Sequence, residues 1–130
     1  MTPGSAGSVG AMSTESITTE FFERYTAALL ARDEQAVARL YAVPALLVFP
    51  QQTIAIGSPE EAAAVFGAAW PQYEGVTSTR PEITVSAETD HSIWADVTWH
   101  HDNGGTEHQL YQLAYLAGGW RVAVLTPLAG

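Results

Sequence analysis

From Pro81 onward the apolar residues of this chain recur at a spacing of two, a pattern that fits antiparallel strands and excludes long helices. The segments Glu82 to Ala87, Ser92 to His101, Thr106 to Ala117 and Trp120 to Thr126 read as four strands. A loop at Glu88 to Asp90, the run Asp102-Asn103-Gly104-Gly105, and Gly118-Gly119 join them. The last two are hairpin signals, because glycine and asparagine accept the positive φ of tight turns.

The N-terminal half carries helical spacing instead. Ser16 is a candidate cap for a helix to about Arg32, with Ile17, Phe21, Tyr25, Ala28 and Leu29 on one face. Asp33 caps a short second helix, Glu34 to Tyr41, which Pro44 ends. Ala45 to Phe49 is a buried strand, and Thr53 to Ile56 continues or pairs with it. Ser58-Pro59-Glu60-Glu61 has cap, first-position proline and capping-box acid for a third helix, to about Trp70. Glu74 to Arg80 is a polar loop. The predicted fold is α+β: three N-terminal helices on a strongly curved antiparallel sheet, a cone with a central pocket.

No repeat or linker divides the chain, so residues 14–130 are expected to form one domain behind a flexible leader, residues 1–13. The first eleven residues are uncharged and lack the cationic start and apolar stretch of a secretory signal.

Composition narrows the function. The net charge is −9, with five arginines and no lysine, which leaves little from which to build the cationic surface that nucleic acid or anionic membranes require. No apolar run reaches the roughly 18 residues of a membrane span. Without cysteine there are no disulfides, thiolate nucleophiles or zinc–thiolate sites, in keeping with a reducing cytoplasm. There is no phosphate loop, dinucleotide fingerprint or nucleophile elbow, and no cofactor is expected.

A two-residue turn at Asn103-Gly104 sets Trp99 opposite His108 and Val97 opposite Leu110. The predicted concave face then carries Ile93, Ala95, Val97, Trp99, His108, Leu110, Gln112, Ala114, Ala123 and Leu125. The predicted outer face carries Trp94, Asp96, Thr98, His100, Glu107, Gln109, Tyr111, Leu113, Tyr115, Val122 and Val124. A bulge would break this assignment. The aromatic outer face suggests a homodimer formed through Trp94, Tyr111, Leu113, Tyr115 and Val124.

The order of elements resembles the nuclear transport factor 2-like superfamily, with its ketosteroid isomerase and SnoaL-like cyclase members. The residues that carry the resemblance are Phe22-Glu23-Arg24-Tyr25, Ala31-Arg32-Asp33 to Leu40-Tyr41, Ile56-Gly57-Ser58 and Gly118-Gly119-Trp120-Arg121-Val122. It spans residue 16 to the end and implies a cone with a pocket between helices and sheet, and dimerisation through the outer sheet face. It also implies that Tyr25 matches the isomerase tyrosine that donates to the substrate oxygen. The isomerase's aspartate base falls at Phe49 and its partner acid near Gln112. Phenylalanine abstracts no proton, so the resemblance carries the fold and not the isomerase chemistry.

On this reading His108 is the lone histidine of the pocket, either an acid/base group or a partly wet lining residue. Tyr25 and Gln112 orient a substrate oxygen, or else bond each other. Phe22, Tyr41, Phe49, Phe66, Trp70 and Trp99 line the pocket or fill the core. His100-His101, Asp102, Glu107 and His108 resemble a metal cluster, but the predicted faces separate them and no metal site is expected. The expected ligand is a small apolar molecule bearing oxygen, handled by isomerisation, cyclisation or hydration. The rival expectation is a non-catalytic homodimeric binding module.

Overall fold

The computed structural model describes residues 13–128, so the leader expected over residues 1–13 lies, but for Ser13, outside the described residues. Helix α1 spans Thr14–Leu30, α2 Glu34–Ala38 and α3 Pro59–Ala69, followed by a 3-10 turn at Trp70–Tyr73. The strands are β1 Tyr41–Phe49, β2 Gln52–Ile56, β3 Thr79–Thr89, β4 Ser92–His101, β5 Thr106–Leu116 and β6 Gly119–Pro127. They form one six-stranded sheet in the order β2-β1-β6-β5-β4-β3. Only the β1–β6 pair is parallel, and the helices cover one face, giving the predicted α+β class.

Local chemistry accounts for most boundaries. Ser13, not Ser16, caps α1, its Oγ accepting from Ser16 N at 3.1 Å. Asp33 caps α2, accepting from Ala36 N at 3.0 Å. Ser58 accepts from Glu61 N at 3.1 Å, while the Glu61 carboxylate reaches back to Gly57 N at 2.6 Å and closes the N-terminus of α3. Tyr41 leaves the predicted second helix and begins β1 opposite Val122, and Pro44 sits within that strand after a cis peptide bond. The β1–β6 register shifts between Tyr41 and Leu46, which gives the proline an irregular position that needs no ladder donor.

Two irregularities decide which side chains face the helices. At the β4–β5 hairpin His100 pairs with Thr106, and His101 N donates to Gly105 O at 2.9 Å. The turn is therefore Asp102-Asn103-Gly104, three residues with Gly104 at φ 90°, and not the expected two. Asp102 is drawn out of the ladder by Thr77, whose backbone N–H donates to its carboxylate at 3.0 Å. Asn103 Oδ1 accepts from Gly105 N at 2.8 Å. One added turn residue moves all of β5 to the opposite face. Glu107, Gln109, Tyr111 and Leu113 lie opposite Trp99, Val97, Ala95 and Ile93. Tyr111 and Leu113 are core residues, 1% and 0% exposed.

At the β5–β6 hairpin Ala117 and Gly118 carry φ 51° and 82°, so the turn lies one residue before the expected Gly118-Gly119. A bulge at Ala123 follows: Leu113 pairs with Val122 and Gln112 with Val124. It places Val122 and Leu125, three residues apart, both in the core. The outer face consequently carries Leu46, Val124, Gln112 and Trp94 in one cross-strand row, with Leu110, Asp96, His108 and Thr98 beside it.

Candidate active site in the cone

Between α1, α3 and the sheet lies a cavity of about 120 Å³. Its deep wall is aromatic. Tyr25 on α1 projects inward because it shares the helical face of Phe21, Phe22 and Leu29, and its ring meets Trp99 at 5.6 Å and Tyr111 at 5.6 Å between centroids. Phe66 and Trp70 come from α3 and the turn after it, and Phe49 from the end of β1. Of the predicted lining residues, Phe49, Phe66, Trp70 and Trp99 are brought to the cavity with Tyr25. Phe22 and Tyr41 pack behind it: Phe22 meets Tyr111 at 5.0 Å and Tyr41 meets Phe66 at 4.8 Å.

His108 and Gln112 are not brought there. The three-residue turn sends both to the outer face, where His108 Nε2 lies 2.6 Å from Asp96 Oδ1 and Gln112 Nε2 donates to Ser92 Oγ at 2.9 Å. The same rotation removes Tyr111 and Leu113 from the outer face, while Trp94 on β4 and Val124 on β6 stay there, half-buried. Tyr115 lies half exposed near the β5–β6 turn, against Trp120 at 5.4 Å. The predicted separation of the histidine-rich segment is thus reversed at two positions, with Glu107 inward and His108 outward. Among the described residues no three His, Asp or Glu side chains are grouped as metal ligands.

In their place β5 supplies Glu107, Gln109 and Tyr111, and the 3-10 turn supplies Gln72 and Tyr73. Trp99 Nε1 donates to Tyr111 Oη at 2.9 Å, and Tyr111 in turn donates to Gln109 Oε1 at 2.6 Å. The Tyr25 and Tyr41 hydroxyls share a hydrogen bond of 2.6 Å. These bonds satisfy the polar groups of an otherwise apolar interior. Burial raises the Tyr25, Tyr41 and Tyr111 phenols well above their ordinary value, and the neighbouring tyrosines add to the effect for each. All three are neutral at physiological pH.

Glu107 is the sole carboxylate among the residues that line this cavity. Its Oε1 lies 3.0 Å from His101 Nε2, and His101 Nδ1 lies 2.8 Å from Thr79 Oγ1. The His101 side chain is only 7% exposed, held edge-on by Tyr73 at 5.7 Å. Burial, and then the adjacent Glu107, push the Tyr73 phenol well above its usual range. Trp70 Nε1 donates to Glu34 Oε1 at 3.0 Å and holds that carboxyl below its usual value. Arg32 fixes the other side of the rim through the carbonyls of Tyr73 and Val76, at 2.6 and 2.9 Å. The arrangement is a largely apolar pocket with one carboxylate, backed by an imidazole, at its polar end. That combination can bind an oxygen-bearing molecule and move a proton to or from it.

A model of the family described as NTF2-like protein (DUF6841) matches residues 14–130. Solved structures similar to the chain include a domain of unknown function with a cystatin-like fold from Nostoc punctiforme, with TM-score 0.70 and 15% identity over 92% of this chain and 80% of that one. An NTF2-like protein of unknown function from Shewanella oneidensis superposes with TM-score 0.72 and 11% identity, over 88% and 98%. One from Cytophaga hutchinsonii gives 0.68 and 13%, over 92% and 100%. No curated protein matches the chain. At these identities the structures speak for the fold alone, and it is the family model, spanning both the helices and the whole sheet, that makes this chain a member of the NTF2-like proteins of that family.

Proposed function

We propose that this protein binds a small, largely apolar, oxygen-bearing molecule in the cone and carries out proton-transfer chemistry on it with Glu107 as acid/base. The observation that supports this reading is Glu107 itself: a carboxylate at the wall of an aromatic cavity, with His101 and Thr79 aligned behind it. His101 is a positioning residue that fixes the carboxylate and takes up part of its charge. Tyr25 lines the cavity in its neutral form, and with Tyr41 donating to it, its own hydroxyl hydrogen is the donor for a substrate oxygen. The proton-handling role expected of His108 passes to Glu107, because His108 does not reach the cavity.

The cavity volume of about 120 Å³ limits the ligand. A dry engineered cavity of about 150 Å³ holds one benzene, so the substrate is at most of single-ring size. The reaction class is non-redox: isomerisation, cyclisation or hydration beginning with proton removal beside a carbonyl. The lack of cysteine supports placing the protein in the cytoplasm.

A direct test follows solvent deuterium entering the position next to the carbonyl of a small cyclic ketone. Exchange that saturates with protein and disappears in Glu107→Gln, with the fold retained, supports the reading. Exchange no faster than buffer, or equal in Glu107→Gln, rejects it.

A second reading is favoured by the outer-face row Leu46, Val124 and Trp94, with Leu46 42% exposed on a sheet that nothing covers among the described residues. In that reading the chain is a homodimer through the outer face, catalytic or not. Sedimentation of the wild-type protein decides it.

A further inference from the structure

A second concavity lies at the far end of the sheet from Glu107, between α1, the α2–β1 junction and the β5–β6 hairpin. It is an open cleft of about 630 Å³. Three of the chain's five arginines, Arg24, Arg39 and Arg121, line it. The other two are elsewhere: Arg32 is committed to backbone carbonyls at the cone rim, and Arg80 lies on β3. In a protein of net charge −9 with no lysine, this gathers most of the positive charge in one place.

These guanidinium groups lack the partners that arginines on an acidic surface normally find. Among the described residues no Arg24, Arg39 or Arg121 nitrogen lies within 4.0 Å of a carboxylate oxygen. Arg121 is steadied by the Leu116 carbonyl at 2.5 Å, and Arg24 lies over the Phe21 ring at 5.7 Å. Glu20 and Asp90 also border the cleft, so its lining carries a net single positive charge, three arginines less two acids. The Tyr115–Trp120 pair, set edge to face at 61°, also lines it.

We propose that this cleft is a binding site for an aromatic oxyanion, a flat ring that carries a phosphate or carboxylate group. The arginines would hold the oxyanion, since a guanidinium offers paired N–H donors matched to it. The ring would lie on Trp120 and Tyr115. Arg39 follows helix α2, which buries Val37 and Ala38, and Arg121 follows the β5–β6 turn, so two ordered elements set the backbone positions from which the cations reach the cleft.

The test is calorimetric titration of the intact protein with phenyl phosphate and, separately, with benzoate. Saturable binding of at least one is expected, weakened about tenfold or more in Arg39→Ala and in Arg24→Ala, and weakened by added salt. Both arginines are exposed, so circular dichroism of the variants should match wild type. Asp90→Asn should tighten binding. Which probe binds distinguishes phosphate from carboxylate as the anionic group. Failure of both to saturate below about 10 mM overturns the proposal, as does equal affinity in either arginine variant. Cyclohexanol, uncharged and of similar size, should not compete; competition by it would show a merely apolar site and also overturn the proposal.

Discussion

Glu107 and His101, six residues apart across the β4–β5 turn, meet through a 3.0 Å contact between Oε1 and Nε2, with the carboxylate on the cavity wall and the imidazole behind it. With the carboxylate as acceptor Nε2 is the donor, and in the tautomer protonated at Nε2 alone Nδ1 accepts from the Thr79 hydroxyl. Replacing His101 by Ala should leave Glu107 in place but free to turn. In the exchange assay the rate should fall about tenfold to a hundredfold while ligand affinity changes little. A change in affinity alone would mean that His101 shapes the cavity and does not position the base.

Tyr111 accepts from Trp99 and donates to Gln109 in a buried setting. Tyr111→Phe keeps the ring packing but orphans the Trp99 indole N–H, and should cost about 1–3 kcal/mol in urea unfolding. No loss of stability would show that solvent reaches these groups through the cavity.

The two faces of β5 can be told apart by charge insertion. Leu113→Arg buries a cation in the core, 0% exposed in the native protein, and should prevent folding, at a cost above about 4 kcal/mol. Leu110→Arg, on the outer face, should fold normally and sediment as a monomer if the protein is a dimer through that face. A folded Leu113→Arg protein would refute the register.

Alkaline pH should unfold the protein cooperatively. The folded-state values of Tyr25, Tyr41 and Tyr111 are raised, so their contribution to stability is intact below the unfolded phenol value of roughly 10. Above it the unfolded chain releases protons that the folded chain retains, and each phenol then withdraws about 1.4 kcal/mol per pH unit until its folded value is reached. Their phenolate absorbance should therefore rise together with the loss of tertiary circular dichroism. Ionisation that precedes unfolding would show that these rings are solvated.

His108→Ala removes a 2.6 Å contact to Asp96 on the outer face. Deuterium exchange in the cone should be unchanged, and any effect should appear in self-association. Loss of exchange would return the proton-handling role to His108.

The cone was legible in the sequence because its signals are local: the cap of α3 at Ser58, the helical face of Tyr25 and the period of two beyond Pro81. The cavity's aromatic wall followed from those elements. Its polar end did not, since it depends on whether a turn holds two residues or three, and Asn103-Gly104 satisfies both. What decides is a contact from outside the hairpin, Thr77 to Asp102, between residues 25 apart in the chain. The Ala123 bulge has no marker residue at all, since alanine is at home in either face of a strand.

The same turn has a consequence for how such a pocket diversifies. The same residues paired across a two-residue turn, with Asp102 opposite Gly105, would turn β5 over. His108, Leu110 and Gln112 would then meet Trp99, and Glu107 and Tyr111 would face outward. An acid for a histidine, and a phenol for an amide, would be exchanged without a single substitution in the cavity wall. Among relatives of this fold, the register across that turn therefore decides the chemistry of the cone before the identities of the lining residues do.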